Sequence, residues 1–452
     1  MSIIILRQLV FRKKVNPARR IAFGFAALIL AGALILTLPI STRSGNGAPF
    51  LTALFIATSA TCVTGLSLVN VGAYFSLFGQ AVILALIQLG GLGFVTVFAL
   101  AFFVSDRQIG LSSRIVLAQS MGEESLAGIV KTVKHVLYIT GAAELLGALL
   151  LMIRFIPRFG VLKGIWFGIF HSVSAFCNAG FDIIGDGRSV AAFYNDPLVL
   201  LTLAALIITG GLGFAVWEDI IRKKSLKRLT AYSKTVLVTT AALIVFGTLL
   251  FFALEYNNGA TMGGESGFQK ILSSFFQSVT TRTAGFDSVT QDNLTDLSKT
   301  LGVVLMMIGG ASGSTAGGIK VGTAALIILT LRSVLRSRDD VTVFGRSINR
   351  RAILHAMSIF TLWLMFTITG AALVSYADGA PMLNSVYEVA SAYSTVGLTV
   401  GITETASVFT KILLMIYMFF GRVGIMTVSV VFMTRLKARG RIKYPEGRFI
   451  VG

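Results

Sequence analysis

The sequence predicts an all-α membrane protein built from four similar units, and three observations support this prediction. Of its 452 residues, 55% are hydrophobic and only 13% are charged, with a mean hydropathy of +0.82. This composition is typical of integral membrane proteins. Apolar runs of roughly 20 residues, the length that crosses a bilayer, recur along the chain, and short glycine-containing segments separate them at a long and nearly constant period.

The apolar runs predict eight spanning helices. They begin near Ile21, Tyr74, His135, Leu198, Thr235, Leu301, Ala352 and Val408. The first run, residues 21–40, is too long for the core of a signal peptide, so we expect it to be retained as a helix.

The basic residues predict how the helices are oriented. The net charge is +19, and lysines and arginines cluster in residues 12–20, 107–134, 222–234, 332–351 and 435–448. By the positive-inside rule these segments are cytoplasmic, which places both the N-terminal segment 1–20 and the C-terminal tail 436–452 in the cytoplasm. Segments richer in acidic residues lie between them and are expected to face outside: Asp182, Asp186, Asp287, Asp292, Asp296, Asp378 and Glu404.

The position of the basic clusters also indicates their partner. They lie at helix ends with few aromatic residues among them, which is not the pattern of a nucleic-acid interface. We therefore expect no nucleic-acid partner and favour membrane lipids, in particular anionic lipid.

Cysteine and histidine are too scarce to suggest a metal centre. The two cysteines and three histidines do not have the spacing of a zinc or haem site. We expect all five to be packing residues: Cys62, Cys177, His135, His171 and His355.

Short, weakly apolar segments between the long runs form an internal repeat. Each has the length of a re-entrant half-helix and is predicted to end in a glycine: Gly65, Gly180, Gly285 and Gly397, spaced by 115, 105 and 112 residues by subtraction. An aromatic residue stands ten positions before each glycine: Phe55, Phe170, Phe275 and Tyr387. A small residue stands five positions before it: Ala60, Ala175, Thr280 and Ala392. Periods this long indicate repeated membrane units, which we place at residues 21–104, 134–220, 232–337 and 352–435.

The second long helix of each unit carries its own glycine pattern. It reads "QLGGLGF" at 88–94, "ITGGLGF" at 208–214, "MIGGASGSTAGG" at 307–318 and "FFGRVGIM" at 419–426. In the third unit, residues 309–320 hold five glycines, each of which costs about 1 kcal/mol relative to alanine inside a helix. This stretch is predicted to be a loop, with a kink or a close-packing face as the alternatives.

The repeated turns suggest a function. Main-chain carbonyls at membrane depth must be buried in protein or line an aqueous path. Four extended turns around one axis would supply rings of carbonyl oxygens that replace the hydration shell of a cation. The glycines permit the positive φ angles this requires, and each half-helix would direct its negative C-terminal end at the ion. The sequence thus predicts four pseudo-symmetric helix–pore-loop–helix repeats, with eight spanning and four re-entrant helices around one cation-selective pore.

Other functions fit the residues less well. An alternating-access carrier also uses repeats and broken helices, but its repeats usually pair two by two. A sodium- or ammonium-permeable pore would share this fold. A membrane enzyme would need a nucleophile or a metal constellation, which we do not find in the apolar segments.

The four turns "CVTGL", "CNAGF", "RTAGF" and "STVGL", together with the glycine-rich interruption, resemble the Trk/Ktr/HKT superfamily of potassium transporters. Within it the chain is most similar to the membrane subunit of the bacterial Ktr system, because it starts directly with the first unit, without the extra N-terminal helices of the Trk type. The resemblance covers about residues 20–452. It implies potassium uptake across the bacterial plasma membrane, with K⁺ as the transported ion, Na⁺ as an activator, and no cofactor bound by this chain.

The resemblance also implies partners and site residues. The partners are a second copy of the chain, with the segment "YPEGRFIVG" at or near the interface, and a cytoplasmic ring of nucleotide-binding regulatory subunits. The selectivity filter, where K⁺ binds, would consist of main-chain carbonyls of Val63, Thr64, Gly65, Asn178, Ala179, Gly180, Thr283, Ala284, Gly285, Thr395, Val396 and Gly397. In plant relatives a serine at the first of these glycines accompanies sodium permeation, so Gly65 favours potassium. The gate would consist of Gly309, Gly310, Ala311, Ser312, Gly313, Ser314, Thr315, Ala316, Gly317, Gly318, Lys320 and Arg422.

Three basic residues are expected inside the membrane, where a charge costs roughly 2.5 to 3.5 kcal/mol even on a lenient scale and therefore needs a partner. Arg282 is predicted to brace the filter from behind, with Glu388 or Asp287 as its counterion. Lys320 either extends to the cytoplasmic interface or takes part in gating. Arg422 replaces the second glycine of the "GGLG" pattern, and the resemblance implies that it forms a barrier together with the loop.

Overall fold

The computed structural model describes residues 17–93, 129–184, 189–338 and 340–424. The predicted tail 436–452, the end of the fourth repeat beyond residue 424, and most of the basic segments 1–20 and 107–134 lie outside these residues. The described part is mostly helical, as predicted.

The first of the four predicted repeats contains two longer and two shorter helices. These are α1 (Pro17–Leu36), α2 (Phe50–Cys62), α3 (Val71–Tyr74) and α4 (Leu77–Gly91). Helix α4 begins where the Ser76 hydroxyl accepts a hydrogen bond from the Gly79 amide at 3.2 Å, an N-cap that satisfies one of the free amides of the first turn.

The second repeat follows the same order. It contains α5 (Ile129–Phe159), α6 (Val161–Phe176), α7 (Pro197–Gly211) and α8 (Phe214–Lys223). A turn at Gly160, with φ of 83°, separates α5 from α6. Helices α7 and α8 are bent by 92° at Leu212 and Gly213, which lie between them, so this second long helix is broken.

The third repeat contains α9 (Ala231–Glu255), α10 (Gly267–Thr280), α11 (Asp296–Met307) and α12 (Val321–Leu335). Side-chain caps define three of these starts: the Thr230 hydroxyl at α9, a capping box of Ser266 and Gln269 at α10, and the Thr295 hydroxyl at α11. No helix connects α11 to α12, because residues 308–320 form a loop.

A hairpin of two-residue strands, β1 (Thr342–Val343) and β2 (Arg346–Ser347), leads into the fourth repeat. This repeat contains α13 (Arg350–Asp378), α14 (Met382–Tyr393), α15 (Ile402–Thr405) and α16 (Val408–Val423).

The packing of these helices follows the chain order around a closed ring. In every repeat the long first helix packs against the short helix after it: α1 on α2, α5 on α6, α9 on α10 and α13 on α14. The second long helix then contacts the short helix of the next repeat: α4 on α6, α7 on α10, α11 on α14 and α16 on α2. The fourth repeat thereby returns to the first.

The outer surface of this ring is apolar. Among the described residues, three continuous helical segments are long and apolar enough to cross a membrane, Thr132–Phe159, Ala231–Glu255 and Arg350–Asp378, and the bent pair of α7 and α8 is a fourth candidate. Only 28% of the apolar window of each of the three is buried. Their exposed leucines therefore suit lipid. The count of eight crossings remains a prediction.

Several helix boundaries differ from the predicted ones. Helix α9 begins at Ala231 rather than near Thr235, and α5 is already helical at Ile129, before the predicted His135. Hydropathy identifies only the apolar part, whereas the helix continues through the basic residues that precede it. The short helices end before the repeated glycines rather than at them, as α2 does at Cys62.

The start of α7 provides a test of helix capping. The Asp196 carboxylate accepts hydrogen bonds from the Leu198 amide at 3.0 Å and the Val199 amide at 3.4 Å. We expect Asp196→Ala to lower the free energy of unfolding by about 1 kcal/mol, because these amides lose their acceptor. Asp196→Asn keeps the acceptor oxygen and serves as control. The measurement is unfolding in mixed micelles; an Ala variant as stable as the Asn variant would contradict the capping role.

Candidate functional site

Each short helix runs into a turn with the same backbone conformation. The repeated glycines have positive φ angles: 97° at Gly65, 67° at Gly180, 77° at Gly285 and 97° at Gly397. The residue directly before each glycine does not have a positive φ; these residues are Thr64, Ala179, Ala284 and Val396. Such an alternation lets successive carbonyl groups point to the same side of the chain.

Two positions before each glycine, a second residue also has a left-handed backbone, which the sequence analysis did not predict. These residues are Val63, Asn178, Thr283 and Thr395, with φ of 57°, 58°, 65° and 52°. For β-branched residues this is a true outlier, and such strain of order 1–3 kcal/mol persists only where the surroundings fix it. No sequence signal identifies these positions apart from their fixed distance to the glycine.

The four turns touch one another in a closed ring. A methyl group added at Gly180 would come within 2.6 Å of the Ala284 carbonyl oxygen, closer than van der Waals contact permits. Equivalent contacts join every turn to the next: Gly65 to the Ala179 carbonyl, Gly285 to the Val396 carbonyl and Gly397 to the Thr64 carbonyl. The predicted filter residues thus come together around one centre, in the order of the chain.

Hydroxyl groups hold each turn from behind. The amides of Gly65 and Gly397 each donate to a serine hydroxyl, Ser59 and Ser391, at 3.1 Å. In the other two repeats a hydroxyl donates to the carbonyl that follows the glycine: Ser174 to Phe181 at 2.9 Å and Thr280 to Phe286 at 2.8 Å. These hydroxyl residues were not predicted from the sequence. Their signal was a serine six positions before three of the glycines.

The glycine-rich stretch of the third repeat is a loop, as predicted, and not a kink. It docks on the broken helix of the second repeat: the Ala311 amide donates to the Gly211 carbonyl at 2.8 Å, and the Phe214 amide donates to the Gly313 carbonyl at 3.0 Å. Main-chain amides and carbonyls at the break between α7 and α8 therefore form hydrogen bonds with those of the loop between α11 and α12.

This loop also contacts three of the four turns. The Thr315 hydroxyl lies 3.0 Å from Oδ1 of Asn178 in the second turn. Gly317 contacts the Thr395 side chain of the fourth turn. Gly309 lies against the methyl group of Thr283 in the third. The loop therefore lies directly on the side chains two positions before the repeated glycines.

All three intramembrane cations donate to main-chain carbonyls of the loop. Arg422 donates to the Thr315 carbonyl, and also to the Gly90 and Gly91 carbonyls of α4, the latter at 2.8 Å. The Lys320 ammonium donates to the Ala316 carbonyl at 2.7 Å, so this side chain turns toward the loop and does not extend to the interface.

The predicted counterions of Arg282 are wrong. Its guanidinium donates to the Gly309 carbonyl at 3.2 Å, and among the described residues no acidic group lies within ion-pair distance. Glu388 instead accepts hydrogen bonds from the Thr399 hydroxyl at 2.7 Å and the Val400 amide at 3.2 Å, beyond the fourth turn. A carbonyl with its two lone pairs replaces the carboxylate as the partner of the buried arginine.

Comparison with known proteins identifies the family. The family model described as "TrkH: Cation transport protein" matches residues 3–439. The chain belongs to the TrkH family.

Curated relatives resemble this TrkH-family chain over nearly its full length. It is 39% identical over 446 residues to the potassium/sodium uptake protein NtpJ of Enterococcus hirae, covering 98% of each chain. It is 36% identical to the Ktr system potassium uptake protein B of Bacillus subtilis, covering 97% of each. The crystal structure of TrkH from Vibrio parahaemolyticus matches with a TM-score of 0.75 at 18% identity, over 94% of this chain and 87% of that one. The last match shows a shared fold.

The cysteines and histidines of this TrkH-family chain do not form a metal cluster within the described ranges. Cys62 and Cys177 are free and buried beside the turns. His171 is more than a packing residue, because its Nε2 lies 2.6 Å from the Asp182 carboxylate just after the second turn.

The hydroxyl behind the third turn provides a second test. We expect Thr280→Val, which keeps the shape, to lower the free energy of unfolding by about 1–3 kcal/mol, because the buried Phe286 carbonyl loses its donor. Thr300→Val is the matched control, since that hydroxyl is exposed and bonds only within its own helix. The measurement is the thermal midpoint in detergent. Equal midpoints of the two variants would contradict the bracing role.

Proposed function

We propose that this chain carries K⁺ across the bacterial plasma membrane through a selectivity filter formed by the four turns. The observation that carries the proposal is their closed ring, in which each repeated glycine contacts a carbonyl of the next turn. Twelve main-chain carbonyls, three from each turn, are the proposed K⁺ ligands. Potassium appears in the names of both relatives described above, which supports this choice of ion.

The chemistry of this filter is the replacement of water by carbonyl oxygens. A cation that enters loses its hydration shell and gains main-chain dipoles at similar distance. The C-terminal ends of α2, α6, α10 and α14 add partial negative charge near the same centre. Each turn has a single glycine followed by Leu66, Phe181, Phe286 or Leu398. We therefore expect fewer ion sites, and less strict selectivity, than in tetrameric potassium channels.

The loop at residues 309–318 is the proposed gate of this pathway. Its contacts with Asn178, Thr283 and Thr395 support a position directly against the filter. Arg422 ties it to α4 on the opposite side of the ring. Permeation then requires the loop to move, and that movement breaks charge-assisted hydrogen bonds, each contributing about 1.5–3 kcal/mol.

Regulation and assembly belong to the same proposal. The name of the Bacillus subtilis relative describes it as a protein of a Ktr system, which supports a separate cytoplasmic regulatory subunit, here a nucleotide-binding ring. We place both termini in the cytoplasm from the positive-inside rule, and we propose a homodimer with Na⁺ as activator.

A second candidate is a pore that passes sodium as well. The relative NtpJ is named for both potassium and sodium, and this favours a broader selectivity. An alternating-access carrier fits less well, because the four repeats close around one centre and do not form two pairs.

Ion-resolved flux in proteoliposomes tests the proposed filter, with Gly65→Ser as the decisive variant. We expect rubidium, as a potassium analogue, to enter faster than sodium. Gly65→Ser should reduce this preference at least about tenfold, because a side chain at positive φ adds about 1–3 kcal/mol of strain and the added side chain meets the Ala179 carbonyl. Gly45→Ser is the matched control, because Gly45 also has positive φ but has open space around it. Unchanged flux ratios in Gly65→Ser would refute the filter, and faster sodium entry in the wild type would favour the second candidate.

The proposed gate makes a separate prediction for Arg422. We expect Arg422→Ala to raise potassium flux about tenfold or more, since the closed loop loses charge-assisted hydrogen bonds and 1.4 kcal/mol is already a factor of ten. Lys411→Ala on the same helix removes a charge without touching the loop and serves as control. Flux that falls at normal expression would show instead that Arg422 only supports the structure.

A further inference from the structure

We propose that a cavity at the cytoplasmic side of the third and fourth repeats binds one anionic phospholipid, next to the proposed gate loop. The cavity has a volume of about 660 Å³, within the range of ordinary ligand sites. Its walls come from the start of α9, from α12, from the hairpin and from the first three turns of α13. Ser312 of the loop is also part of the wall.

The ionisable side chains of Arg, Lys, His, Asp or Glu that line this cavity are all basic. Arg346, Arg351 and His355 line it, and no acidic residue does. Within the described parts of the chain, neither arginine side chain has an ion-pair partner. Guanidinium groups bind phosphate oxygens in a bidentate way, and basic pockets between membrane helices on the cytoplasmic side are the usual sites of anionic head groups.

Much of the remaining wall of the cavity is apolar, which favours a lipid over a soluble phosphate. Leu326 and Leu329 of α12 and Ala356 and Ile359 of α13 line it. Ile359 lies about 12 Å along the helix from Arg351, at 1.5 Å per residue. An occupant must therefore combine a phosphate with a hydrocarbon chain. A soluble phosphate would leave the apolar wall in contact with water.

The position of the cavity gives the lipid a regulatory effect, and this step rests on the proposed function. A ligand stabilises the conformation that binds it. A lipid seated against Ser312 therefore stabilises the loop where it lies, on the filter turns. Anionic lipid then holds the proposed gate closed, and emptying the cavity raises potassium flux.

Native mass spectrometry of the purified chain with phosphatidylglycerol tests the site. Since each basic residue near a lipid surface contributes about 1 kcal/mol, we expect the double variant Arg346→Ala/Arg351→Ala to bind the lipid about 30-fold more weakly. The control Arg332→Ala/Arg336→Ala has the same charge change on exposed residues outside the cavity and should bind as the wild type does. Ala352→Trp, which fills the cavity without changing its charge, should also lose the lipid.

Three results would overturn the site: no retained lipid on the wild type, equal loss in both double variants, or full displacement by glycerol phosphate at equal concentration. The last would indicate a site for a soluble phosphate. Potassium flux into vesicles with and without phosphatidylglycerol tests the regulatory effect. This effect requires the cavity variants to pass more potassium than the wild type when the lipid is present, and as much as the wild type when it is absent. A wild type that passes no potassium in any vesicle would refute the proposed function and leave the lipid measurement standing.

Discussion

The structure depends on one constraint: main-chain polar groups at membrane depth need partners other than water. A helix meets this constraint within itself, but the four turns and the loop of residues 308–320 do not. Their groups are satisfied by each other, by hydroxyls such as Ser59 and Ser391, and by the broken helix of the second repeat. Irregular backbone inside a membrane protein therefore occurs here as one connected assembly, since no single segment of it could be satisfied alone.

The same constraint explains the three buried cations. A buried charge without a partner is far more unfavourable than an ordinary unmade hydrogen bond, and an unpaired carbonyl in the loop would also be unfavourable. Arg282, Lys320 and Arg422 each remove both penalties by donating to loop carbonyls. A carboxylate partner would neutralise the cation but leave the loop carbonyls unsatisfied. The cations and the loop therefore stabilise each other.

The sequence predicted the parts of the site that follow from local rules. Glycine spacing predicted the four turns, and helix propensity predicted the loop at residues 309–320. Long-range features were missed: the partner of Arg282 is 27 positions away, and it is a carbonyl, which composition does not reveal. The left-handed Val63 and Thr395 were also missed, because only packing from the other repeats can hold a β-branched residue there. The glycines did not reveal that the second helix of the second repeat bends by 92°.

The hydrogen bonds between the loop carbonyls and Arg422 also affect how the proposed gate can move. If the loop leaves the proposed filter, the Thr315 carbonyl loses its bond to Nη1 of Arg422, while Nη2 keeps the Gly90 and Gly91 carbonyls of α4. Water is the partner that can serve both the freed carbonyl and the freed Nη1 group. Water must therefore enter as the loop moves, and a hydrated path is what a cation needs on the cytoplasmic side of a carbonyl filter. Opening of the proposed gate and hydration of the path are then a single event, because the hydrogen bonds that hold the loop in place also occupy the polar groups that would otherwise bind water.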